Sequence, residues 1–241
     1  MQKKIYSINI KQYIYILTYY QYQFYNISIR INKQIFSLKW VSNIFVNQQN
    51  IKKHLLQELY VQRNVKFQFI VQHIKFFNYN ENYIYLNEYI QGDDMSSQLY
   101  DCQNFKITRC QFYIAQLILC LEYLHKNNII YRDLKPENIM IDKDGYIKLV
   151  DMGTCKFLDK NTFGRTQTII GTAFYMAPEV ILAKSYSYYV DLWSLGIISY
   201  EFLCGFVPFD FDNQNPSMVY QNIIRKKLQF PYFLQKEKSS Y

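Results

Sequence analysis

The chain has 241 residues, half of them hydrophobic and 19% charged, which suits a sizeable buried core and excludes wholesale disorder. With 7 Gly and 5 Pro it is neither collagen-like nor proline-rich. Lys plus Arg number 27 against 19 Asp plus Glu, a net charge of +8 that favours polyanions such as nucleotide phosphates, membrane headgroups or nucleic acid.

The first 50 residues are rich in Asn, Gln, Ile, Tyr and Lys. Apolar and polar residues alternate over Lys4 to Ile16 and Tyr25 to Ile31, which predicts half-buried antiparallel strands. Ile51, Leu55, Leu59 and Val61 have helical spacing, and Tyr83-Ile-Tyr-Leu reads as a strand. Gln91-Gly-Asp-Asp94 reads as a hinge. Beyond it Ile114, Leu117, Ile118, Leu121 and His125 predict an amphipathic helix. Val190 to Cys204 is apolar on nearly every side and predicts a buried one. The expected class is α+β: a β-rich first part and an α-rich second part joined near residue 90.

Five cysteines without a C-x-x-C pair predict free thiols in a reducing compartment, not a disulfide scaffold or zinc site. No apolar run approaches the roughly 18 residues of a membrane span, and the first residues do not read as a signal peptide. A cytoplasmic location is the expectation. No recognised nucleic-acid-binding motif accompanies the charge, so nucleic acid is not an expected partner.

The most informative stretch is Tyr131-Arg-Asp-Leu-Lys-Pro-Glu-Asn138. It follows the 114–125 helix and precedes a hairpin pattern: Ile139-Met-Ile141, an Asp142-Lys-Asp-Gly145 turn, and Ile147 to Val150. Asp133, Lys135 and Asn138 therefore share a loop, and Asp151 follows the hairpin. These residue types supply a proton acceptor, a cation for phosphate and two oxygen donors for Mg²⁺.

On these residues the chain resembles the eukaryotic protein kinases, and within them the AGC group near the cyclic-nucleotide-dependent kinases, which carry Tyr for the His of HRD. Asp151-Met-Gly153 resembles DFG, Ala177-Pro-Glu179 resembles APE, and Asp191-Leu-Trp-Ser-Leu-Gly196 resembles the D-x-W-x-x-G helix. Phe36-Ser-Leu-Lys39 resembles the strand that bears the ATP lysine. Glu58 stands 19 residues later, as the partner glutamate does, and Glu88 fits the hinge 30 further on.

The resemblance implies a two-lobed kinase domain over 1–241, with an N-lobe over 1–87 and the hinge and C-lobe over 88–241. The chain ends 62 residues after Glu179, so the last helices of the C-lobe are expected to be missing, with the arginine that pairs with that glutamate. Implied cofactors are ATP and Mg²⁺. Lys39 would hold the α/β-phosphates, paired to Glu58; Asp151 and Asn138 would bind Mg²⁺; Asp133 would take the substrate proton; Lys135 would steady the γ-phosphate. Adenine would meet backbone groups of Glu88 to Ile90 and lie over Met140. Thr168 falls at the activating phosphothreonine, with His54, Arg132 and Lys156 as its cations, implying an upstream kinase. Asp94, Glu137 and Glu201 align with acids that bind arginines, implying protein substrates with Arg before a Ser or Thr.

The sequence also departs from the family. Leu17 to Phe24 holds none of the three glycines of the phosphate loop. Two spine positions become Gln62 and His73, a pair that could hydrogen-bond together, the gatekeeper becomes Asn87, and the DFG phenylalanine becomes Met152. These departures imply the alternative reading, a kinase-like binding module with impaired transfer.

Overall fold

The structure, a computed structural model, describes residues 15–20, 24–31, 34–49, 51–79, 82–158, 164–209, 215–232 and 234. Two compact units form, one from residues 1–92 and 141–153, the other from 93–140 and 154–241.

The first unit begins with strands β1 (Tyr15–Tyr20), β2 (Phe24–Ile31) and β3 (Gln34–Val41). Helices α1 (Asn43–Gln48) and α2 (Lys52–Asn64) follow, then β4 (His73–Tyr79) and β5 (Asn82–Glu88). The five strands form one antiparallel sheet in the order β1-β2-β3-β5-β4. The predicted strand over 25–31 is present as β2. Of the predicted 4–16 strand only residues 15 and 16 lie within the described residues.

Period-two alternation divides the sheet's faces. Phe36, Leu38 and Trp40 of β3 pack with Ile84 and Leu86 of β5 on one face. Val41 and Tyr85 pack with Leu55 and Leu59 of α2 on the other. Each such buried aliphatic side chain contributes about 1.5–3 kcal/mol. Lys39, between Leu38 and Trp40, consequently shares the face that α2 covers. The Tyr85 hydroxyl donates to the Leu55 carbonyl at 2.9 Å and ties helix to sheet.

The remaining elements, in chain order, are α3 (Met95–Cys102), α4 (Ile107–Lys126), β6 (Ile129–Ile130), β7 (Ile139–Ile141), β8 (Ile147–Leu149), β9 (Lys156–Phe157), α5 (Pro178–Ile181), α6 (Tyr189–Cys204) and α7 (Pro216–Arg225). In the second unit α4 packs on α6, and β6 pairs antiparallel with β9. The predicted stripe on α4 is rotated. Cys110, Tyr113, Leu117, Cys120, Leu121 and Leu124 are buried, whereas Ile118 is 49% exposed. The cysteines and Tyr113 complete a better i, i+3, i+4 stripe than Ile118 does. Helix α6 is buried on most sides, as expected, with Leu192 as an exposed exception. It ends at Gly205 (φ 83°), where a Cβ would collide with the Gln103 carbonyl.

No disulfide joins the five cysteines; Cys102 is exposed and the rest are buried. Among the described residues no helix is long and apolar enough to cross a membrane.

Candidate active site

In the first unit, α2 carries a buried stripe of Leu55, Glu58, Leu59 and Gln62. An acid and an amide therefore lie within an apolar helix face turned toward β3. The Lys39 ammonium meets Glu58 Oε1 at 2.7 Å and Asp151 Oδ1 at 3.4 Å. Burial works against the Lys39 ammonium, but the Asp151 and Glu58 carboxylates outweigh it and hold its pKa well above the ordinary lysine value. For Glu58, burial pushes the carboxyl above the usual range, against the pull of Lys39.

Asp151 follows β8, has a left-handed backbone (φ 56°), and its side chain is half exposed. The Gly153 N–H donates to Asp151 Oδ1 at 3.1 Å. A Cβ at Gly153 would lie 3.1 Å from that oxygen and 3.4 Å from Glu58 Oε2, so glycine permits this close approach.

Gln62 and His73 do not pair with each other. The Gln62 amide donates to Glu58 Oε1 at 3.3 Å, and His73 Nδ1 bonds Asn87 Oδ1 at 3.1 Å. Gln62 Oε1 and His73 Nε2 are buried without partners. The Glu88 carboxylate accepts from the Gln72 N–H at 2.9 Å and from the Lys148 ammonium at 2.7 Å. Ile90 is half-buried and Tyr89 exposed.

In the second unit, the 131–138 loop is suspended from Asp191, a fully buried carboxylate on α6. It accepts the N–H of Tyr131 at 2.9 Å, the N–H of Arg132 at 2.8 Å and His125 Nε2 at 2.8 Å. Every buried lone pair so engaged offsets its desolvation. On this loop Asp133 Oδ1 accepts from the Thr172 hydroxyl at 2.8 Å, and that hydroxyl accepts from Lys135 Nζ at 2.8 Å. Lys135 also lies 3.2 Å from Asp133 Oδ2. Asn138 donates its amide to the Asp133 carbonyl at 2.8 Å and to Oδ2 at 3.2 Å, so its own Oδ1 is the atom left to meet a cation. Met140 bridges to Asp94 through the backbone.

Of the residues expected to hold substrate arginines, Asp94 gives both oxygens to Ser97, capping α3. Glu201 accepts the Tyr175 hydroxyl at 2.7 Å. Burial raises its pKa to about 7, the Tyr175 bond opposes the rise, and nearby Glu137 adds to it. Thr168 is exposed. Lys156 donates to Thr166 at 2.8 Å, and the Thr166 hydroxyl lies 3.4 Å from that of Thr168. Arg132 gives Nε to the Thr154 carbonyl at 2.6 Å, while its Nη1 is buried without a partner. His54 is exposed on α2 in the first unit.

Thr172, Asp191, Tyr175 and Thr166 take up these positions without having been given a role from sequence. A signal existed for Thr172, a hydroxyl directly after Gly171 in the stretch that ends at Ala177-Pro-Glu179. Nothing local marks Thr166.

The chain matches the family model described as the protein kinase domain over residues 23–240, and it belongs to that family. It is 36% identical to the cGMP-dependent protein kinase of Plasmodium berghei, over 83% of this chain and 23% of that protein. It is 41% identical to the human cAMP-dependent protein kinase catalytic subunit PRKX, over 84% of this chain and 55% of the relative. For the human putative serine/threonine-protein kinase PRKY the identity is 42%, with 71% of the relative covered. The chain thus spans under a quarter of the cGMP-dependent kinase it matches. These relatives agree with the AGC-like resemblance read from Tyr131-Arg-Asp133.

Proposed function

We propose that this chain is the catalytic part of a serine/threonine protein kinase, which passes the γ-phosphate of Mg·ATP to hydroxyls preceded by arginine. The observation that carries the reading is the Asp133–Thr172–Lys135 triangle with Asn138 behind it. Phosphoryl transfer needs positioning and charge neutralisation more than covalent chemistry. Asp133, fixed by Thr172 and Asn138, orients the substrate hydroxyl and accepts its proton. Lys135 neutralises the phosphoryl group as it moves.

The donor set fits the implied groups. Asp151 offers carboxylate oxygens and Asn138 an amide oxygen, the hard ligands that Mg²⁺ takes alongside water. Bound Mg²⁺ would neutralise phosphate charge. The ion-paired Lys39 ammonium presents a fixed cation to the α/β-phosphates, while Glu88 to Ile90 and Met140 take the adenine. Thr168 is the proposed activating phosphosite, served by Arg132, Lys156 and His54 after modification by an upstream kinase. Glu137, Glu201 and Asp94 are the proposed arginine acceptors.

The test is transfer of labelled phosphate from Mg·ATP to an Arg-Arg-x-Ser peptide, with Asp133→Asn as the control. Transfer that disappears in the control is the expected result. Folded protein that binds Mg·ATP but transfers nothing, even after phosphorylation at Thr168, would sink it. That outcome favours the second reading, a kinase-like binding module. Its support is the Leu17 to Phe24 stretch, which lacks the glycines that let a backbone approach phosphate.

A further inference from the structure

We propose that Gln62 is a positioning residue, holding the Glu58 carboxylate in the orientation that Lys39 uses; this rests on the reading of Lys39 and Glu58 as the phosphate-binding pair. The two side chains lie one turn apart on α2, and both residues are buried, at 6% and 2% exposure. The Gln62 amide donates to the same oxygen, Glu58 Oε1, that receives Lys39. One oxygen therefore takes a cation and an amide N–H together, which fixes the rotation of the carboxylate.

An ordinary helical Gln–Glu pair lies at the surface, where water completes both groups. Here Gln62 Oε1 has no partner and is closed to water. A buried orphan acceptor is a cost that an apolar side chain at this position would avoid. The amide cannot relieve it by turning over, because Oε1 would then face Glu58 Oε1, acceptor against acceptor. What the amide supplies in return is one directed hydrogen bond to the ion-paired carboxylate.

The experiment compares wild-type protein with Gln62→Met, which keeps length and burial but removes the donor. It measures Tm, the Lys39–Glu58 separation in crystal structures, and Mg·ATP affinity against kcat. A packing role predicts a lower Tm with the ion pair intact. The positioning role predicts an unchanged or higher Tm, a Lys39–Glu58 contact lengthened from 2.7 Å, and Mg·ATP affinity weakened about tenfold with kcat at saturating ATP changed far less. A contact still at its wild-type length overturns the proposal. A lengthened contact with unchanged Mg·ATP affinity upholds the positioning and instead refutes Lys39 as a phosphate ligand. If Gln62→Met does not fold, Gln62→Asn carries the same readouts, since its amide is one methylene too short to reach Oε1.

Discussion

The carboxylate of Asp191 receives the backbone N–H of Arg132 at 2.8 Å across 59 residues of sequence. That bond, with those from Tyr131 and His125, sets the loop whose Arg132 has a left-handed backbone (φ 73°). Asp191→Ala leaves two buried N–H groups and an imidazole without their acceptor. We expect a loss on the order of 4 kcal/mol in urea unfolding. A loss under about 1 kcal/mol would show that water takes over the acceptor role.

Lys39→Met should remove Mg·ATP binding and also destabilise the fold, because Glu58 then stays buried with Asp151 as a like charge nearby. The sign with pH follows from the raised carboxyl. Between its unfolded and folded pKa the native state binds more protons, so stability falls as pH rises. The loss should reach about 3 kcal/mol at pH 8 and shrink toward pH 5. Adding Glu58→Gln should flatten that dependence. A pH-independent loss in the single variant would place the destabilisation elsewhere.

Local pattern carried much of this architecture. The alternation at 25–31, the Ile51–Val61 spacing and the apolar 190–204 run correspond to β2, α2 and α6, because the period of each element is written in adjacent residues. Asp133, Lys135 and Asn138 could be put on one loop from spacing alone. Their hydrogen bonds could not, because the partners are distant: Thr172 lies 39 residues from Asp133, and Asp191 lies 60 from Tyr131. The pairing choices of Gln62 and His73 were equally hidden. Either could have bonded the other, yet Gln62 turns to Glu58 one turn back on α2, and His73 to Asn87, its register partner across β4 and β5.

Thr172 bridges the Asp133 carboxylate and the Lys135 ammonium, accepting from Lys135 and donating to Asp133. Thr172→Ala should lower kcat about 10- to 100-fold while leaving the unfolding free energy within about 1 kcal/mol of wild type, since the hydroxyl holds a geometry more than it buries surface. Thr172→Ser keeps the hydroxyl and should retain most of the activity. Equal losses in Ala and Ser variants would assign the effect to the methyl group and packing.

If Glu201 is the arginine acceptor proposed above, its carboxyl sets a pH dependence of substrate choice. Its carboxyl, raised to about 7 by desolvation and by Glu137, is half-buried beside Tyr175. Below pH 7 it is largely neutral and offers a guanidinium little attraction. Above pH 7 it is ionised, and an arginine seated there forms a charge-assisted pair. KM for an arginine-bearing peptide should therefore fall as pH rises from 6 to 8, by about tenfold, while a peptide with alanine at that position shows no such trend. Stability should move the other way. The native state holds the extra proton between the ordinary carboxylate pKa and 7, so folding weakens over that interval as pH rises. Glu201→Gln should remove both trends, gaining about 3 kcal/mol of stability at pH 8 and losing the preference for arginine. A variant that keeps the peptide's pH dependence would transfer the role to Glu137.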